Sequence, residues 1–216
     1  MTAAACLTIA AAGCGKLQTL ALHYTPDPAI PSAVHFFPAK VAVASAHWNG
    51  GINGKIGGVF DTQGFKLSTL VVRNAGGQIA QVIAQALQAA GLQATAIGAP
   101  AADGAPPVGV DFLVTAEVDE LTCQKHFIPG PNTGAFQLHA HARLNIAIVG
   151  PGGRRFTGEG VGMVDEPPAG ADLATYKPPI TEPADAVSIA LSRAIQSVIG
   201  QKGFASALPQ RTAAGQ

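Results

Sequence analysis

The stretch FQLHAHARLNIAIV, residues 136–149, alternates apolar and polar side chains almost without a break. Leu138, Ala140, Ala142, Leu144, Ile146 and Ile148 fall on one side, and Gln137, His139, His141, Arg143 and Asn145 on the other. A strand sends successive side chains to opposite faces, whereas a helix would scatter this set around its axis. The segment therefore predicts a long strand with one covered face and one wet face. VDFLVTAEVDELTCQKHF, 110–127, behaves alike, with Phe112, Val114, Ala116 and Val118 opposed to Thr115, Glu117 and Asp119. GPGG, 150–153, turns the chain into RRFTGEGVGMV, so three long neighbours predict an antiparallel meander.

A sheet with one apolar face needs a cover. NAGGQIAQVIAQALQAAG, 74–91, supplies one helix, with Ile79, Val82, Ile83, Ala86, Leu87 and Ala90 at helical spacing. Asn74 is placed to cap it, and Gly91 to end it in a left-handed conformation. Gln78, Gln81, Gln85 and Gln88 form its opposite, wet face. ADAVSIALSRAIQSVIG supplies the second helix, with Val187, Leu191, Ala194, Ile195 and Val198 in one stripe. The expected fold class is α+β: an antiparallel sheet with two amphipathic helices packed on one face, in two layers.

Shorter strands are expected at 40–48, 65–72 and 92–98, with NGGINGKIGG, 49–58, as turns. Pro26, Pro28 and Pro31 favour extended backbone, so residues 14–39 are assigned to a tether, with an edge strand at Leu17 to Tyr24. The organisation is thus a signal peptide at 1–13, a tether at 14–39, one domain at 40–200 and a flexible tail at 201–216.

Thirteen acidic and thirteen basic side chains cancel, and only 12% of residues are charged. No net field concentrates nucleic acid, which is therefore excluded as an expected partner.

Candidate chemistry is sparse. Gly54-Lys55 lacks the earlier glycine and following hydroxyl of a phosphate loop, since those positions hold Asn49 and Ile56. GEGVG, 158–162, lies inside an expected strand, where glycines mark a bulge or a close packing contact. His139 and His141 share a strand face and could ligate a metal with Glu117 or Asp119, but no spacing fixes a third ligand. Cys123 reads as a packed thiol, and no G-x-S-x-G elbow is present. No cofactor, metal or catalytic residue is expected. The groups without an evident internal role, Glu117, Asp119, His139, His141 and Arg143, form the expected contact surface.

Residues 3–13 are small or apolar apart from Thr8 and lead into Cys14. Ala11-Ala12-Gly13-Cys14 resembles a bacterial lipobox, departing from it in Ala11, where leucine is usual, and in the missing basic residues before Lys16. The resemblance implies cleavage before Cys14 and acylation of its sulfur, and Gly15 resembles the pattern of lipoproteins sorted to the outer membrane. Each buried methylene contributes about 0.8 kcal/mol, and two or three chains hold firmly where one does not.

The body, about 40–200, resembles the YajG-like family of bacterial lipoproteins. The likeness rests on IAQVIAQALQAAGL, VDFLVTAEVDELTC, ARLNIAIVGPGGRRFTGEG and ADAVSIALSRAIQSVI, in that order. That family has no established activity to transfer. A weaker likeness is to small lipoproteins that assist lipopolysaccharide assembly. The expected function is that of a non-enzymatic lipoprotein of the outer membrane, facing the periplasm and binding an envelope partner. The alternatives are a lipid or lipopolysaccharide carrier with a cavity between helices and sheet, and a metal-assisted envelope enzyme.

Overall fold

The computed structural model describes residues 16–28, 38–48, 50, 52–100, 104–129, 135–150, 152–171 and 176–208. Cys14, residues 1–13 and residues 209–216 lie outside them.

The fold is mixed α+β, built around three long antiparallel strands, β7 (Phe112–Phe127), β8 (Phe136–Gly150) and β9 (Gly153–Glu166). Their inward residues are the alternating apolar sets of the sequence, and Leu138, Leu144 and Ile148 are wholly buried. Six short strands extend the sheet on the far side of β7. These are β1 (Lys16–Leu20), β2 (Lys40–Val43), β3 (His47–Trp48), β4 (Lys55–Phe60), β5 (Lys66–Val72) and β6 (Gln93–Ala96). β2, β3 and β4 each pair in parallel with successive parts of β7, β6 continues from β2, and β5 and β1 continue from β4.

β7 departs from strict alternation once. Its register with β8 slips between Val118 and Glu120, a bulge that leaves Asp119 without an opposite residue. The sequence carries the sign: inward positions run 112, 114, 116, 118 and then 121, 123, so one extra residue returns Leu121 and Cys123 to the core.

Helix α1 (Ala75–Ala89) follows β5, and α2 (Pro183–Ile199) packs on β9, β8 and β7. Proline at the first position of α2 suits a helix start, because its missing N–H would have no partner there. Gly91 ends α1 with φ 97°, and the Leu92 amide returns to the Leu87 carbonyl, closing the last turn. Asn74 does not cap α1 with its side chain. It adopts φ 48° and turns the chain from β5 into the helix.

β9 carries glycine at three consecutive inward positions, 158, 160 and 162. A Cβ on Gly160 would stand 2.1 Å from the Ala194 carbonyl oxygen, and one on Gly162 2.0 Å from that of Ala190. Glycine here lets helix backbone lie directly on strand backbone, the close packing contact expected of GEGVG.

Three segments differ from the sequence reading. Residues 55–58, read as turns, form β4 together with Val59 and Phe60. Gly57 and Gly58 conceal its alternation, and a Cβ on Gly57 would meet the Cys123 carbonyl at 1.7 Å. The part of the tether at 16–28 belongs to the folded body: β1 pairs with β5 through all five residues. The start of the tail forms a short helix, α3 (Lys202–Ala207), which buries Phe204 and Ala207, and Leu208 after it is buried too.

Residues 22–27 then run extended between the two helices. The amides of Leu22 and Tyr24 donate to Gln78 and Gln85 of α1. Those of His23, Thr25 and Asp27 donate to Ser188, Ser192 and Gln196 of α2. Arg193 Nε holds the Asp27 carboxylate at 2.6 Å. Seven-residue spacing on α1 and four-residue spacing on α2 bring each set onto one helix face. The glutamines read as a wet face therefore partly grip backbone.

Candidate functional site

The bulged β7, with β8 and β9, presents the expected contact surface on the sheet face turned away from the helices. Glu117, Asp119, His139 and Arg143 are exposed there, and His141 is half-buried. Their charges meet across strands. His139 Nδ1 lies 2.8 Å from Asp165, and Asn145 donates to Asp119 at 2.8 Å. Arg143 Nε lies 3.7 Å from Glu159. His141 Nδ1 approaches Glu120 to 3.0 Å without an aligned hydrogen bond. Glu117 stands between Asn145 on one neighbour and His47 on the other. The sequence left these groups without internal partners; cross-strand register, shifted by the bulge, provides them. Such exposed pairs stabilise a fold little and orient its surface groups more.

Two apolar side chains interrupt this polar lattice. Val161 sits opposite Arg143 and Met163 opposite His141, and both are exposed, Met163 to 55%. The outer edge of β9 is partly covered: Arg193 donates to the Met163 carbonyl and Gln201 to that of Glu159. Donors from the helical layer blunt an edge that would otherwise invite strand pairing.

His139 and His141 share a face as expected, but they contact Asp165 and Glu120 separately. Among the described residues no three His, Cys, Asp or Glu side chains gather in a way that could hold a metal ion. Cys123 is fully buried with its sulfur 3.9 Å from the Pro183 carbonyl. Burial pushes its thiol up to about 12, against which the Lys125 charge pulls weakly. The thiolate is thus disfavoured in the fold, and stability falls as pH rises from about 9 towards about 12. In a Cys6→Ser, Cys14→Ser chain, a thiol reagent at mildly alkaline pH is expected to leave Cys123 unmodified until denaturant is added. Stoichiometric modification of the native protein would contradict this burial.

A polar cleft of about 650 Å³ opens at the start of α1, between Ser45, His47, Trp48, Arg73 and Gly76. A second, of about 560 Å³, lies beside β2 and β6. The first has no carboxylate or thiol in its walls, and Ser45 and His47 both line it without a hydrogen bond between them. Sequence reasoning did not find it, because its walls come from separate loops. A carrier cavity between α2 and β9 is sterically closed at Gly160 and Gly162, where helix carbonyls already touch the strand. Glu166, the last residue of β9, is buried and accepts a hydrogen bond from the Tyr176 hydroxyl. Among the described residues no helix is long and apolar enough to cross a membrane.

No family model matches the chain. No curated protein matches it either. Among solved structures it is similar to a Xanthomonas campestris protein described under the family model DUF330. The identity is 15%, the match covers 88% of this chain and 96% of that one, and the TM-score is 0.48. It is also similar to a PelC dodecamer from Paraburkholderia phytofirmans, at 13% identity over 81% and 95% of the two chains, with a TM-score of 0.42.

Proposed function

We propose that this chain is a non-enzymatic lipoprotein, anchored through Cys14 in the outer membrane and facing the periplasm, that binds an envelope protein through the outward face of β7, β8 and β9. The observation that carries the binding surface is the placement of exposed Val161 and Met163 beside Arg143 and His141 on the neighbouring strand. Apolar side chains ringed by oriented charges make a contact core with a polar rim, the composition of a protein interface. The anchor rests on the lipobox-like Ala11-Ala12-Gly13-Cys14.

The test is site-specific photocrosslinking in intact cells. A photoreactive residue at position 163 is expected to give one discrete adduct, and one at exposed Val108, in the turn before β7, none. Adding Val161→Glu should lower adduct yield roughly tenfold, the effect of losing about 1.4 kcal/mol at an interface centre. Equal adducts at both positions, or a yield indifferent to Val161→Glu, would overturn this placement.

A further inference from the structure

Three of the six large apolar side chains left exposed among the described residues gather at one corner of the sheet: Leu17, Phe65 and Leu67. Lys16 pairs with Ser68 and Leu17 with Thr69, so the first residues of β1 lie against the first residues of β5. Phe65 closes the turn that joins β4 to β5, its amide donating to Asp61 Oδ1. Lys16 and Lys66 flank the three and are exposed. Asp61, the acid of this turn, also accepts the Gln63 amide at the same oxygen, so its charge is turned inward on the loop.

This corner is where the chain leaves towards Cys14. One residue separates Cys14 from Lys16, and two residue steps reach at most about 7 Å, whatever path they take. The headgroup layer on each side of a bilayer is itself only about 5–8 Å deep. Acyl chains on Cys14 would therefore bring Lys16 to the lipid headgroups, with Leu17, Leu67 and Phe65 beside it. A long tether would have left that corner free in water; a body that begins at residue 16 cannot be held so far away.

We propose that the corner formed by Leu17, Phe65 and Leu67, with Lys16 and Lys66, is a membrane-seating surface that docks on anionic phospholipid. The apolar side chains enter the headgroup and acyl boundary, and the two ammonium groups meet lipid phosphates. The seat fixes the domain's orientation, and three strands, β4, β7 and β8, stand between it on β1 and β5 and Met163 on β9. The inference rests on the lipid-anchored reading and adds to it a defined contact between protein and membrane.

The test places a tryptophan at either end. Full-length chains carrying Trp48→Phe with Phe65→Trp or with Met163→Trp are isolated from membranes and reconstituted in phosphatidylethanolamine–phosphatidylglycerol vesicles containing brominated lipid. Trp48 is the sole native tryptophan, so each variant reports one site. Position 65 is expected to show blue-shifted emission and to lose roughly half of it to the bromolipid, as for a ring buried about 5–10 Å into the boundary. Position 163 is expected to lose none. Water-like, unquenched emission at 65, or equal quenching at both positions, would overturn the seat. If Trp48→Phe does not fold, the same substitutions are read as differences from the native signal. Mass analysis of the isolated chains reports acylation separately. If they carry no acyl group, the anchor reading fails. The seat is then tested alone by coupling Cys14 of a Cys6→Ser chain to a maleimide lipid, with Cys123 buried and silent.

Discussion

Replacing Gly160 and Gly162 together by alanine is expected to destabilise the fold by about 2–6 kcal/mol, the sum of two overpacked sites. Each new methyl would occupy space within about 2 Å of a carbonyl oxygen of α2, at Ala194 and Ala190. Those oxygens belong to helix backbone, so neither can move aside as the end of a flexible side chain would. α2 must lift from β9 or β9 must bend. Lifting exposes Leu191, Ala194, Ile195 and Val198, all wholly buried. Val161 lies between the two glycines but points outward, and Val161→Ala should change stability by less than about 0.5 kcal/mol. Urea unfolding of the two variants checks the contrast. Similar midpoints would mean that the helix does not rest on the strand as described.

The second large effect is expected from the α2 side chains that hold residues 23–27. Ser188→Ala, Ser192→Ala and Gln196→Ala together leave the amides of His23, Thr25 and Asp27 without their acceptors. At about 1 kcal/mol for each half-buried donor, the loss is about 3 kcal/mol, or roughly 10 °C in Tm. Residues 21–28 should also become susceptible to protease before the helices do. Protection equal to that of the parent would show that the segment stays in place without these bonds. The same extended segment connects the proposed seat at β1 to both helices, so its attachment bears on how rigidly the domain is held at a membrane.

The sequence signalled these elements unequally, and the reasons are physical. β7, β8, β9, α1 and α2 are long and each buries one face, so their periods of two and 3.6 show plainly. β4 is short and has glycine at 57 and 58, which removes the side chains that would reveal alternation. β1 sits at an edge, where Leu17 is exposed and only Leu20 is fully buried, so its pattern is weak. Pro26 announces extended backbone correctly, yet extended backbone serves a free tether and a clasped segment equally. The clasp left one visible sign: Ser188, Ser192 and Gln196 recur every four residues in a helix that is otherwise apolar at its buried positions. For the proposed contact face, the alternation that turns these residues outward was legible and their pairings were not. His141 meets Glu120, and Asn145 meets Asp119, because a bulge at 118–120 shifts the register, and partners across strands are fixed by that shift.

In the proposed reading, attachment to a membrane depends on acylation of Cys14, which a single residue joins to the first strand of a chain whose net charge is zero. Intact-mass measurement of the protein extracted from membranes tests it most directly. The account predicts a chain that begins at Cys14 and carries the added mass of two or three acyl groups. A full-length chain beginning at Met1, without acyl groups and recovered in the soluble fraction, would contradict it.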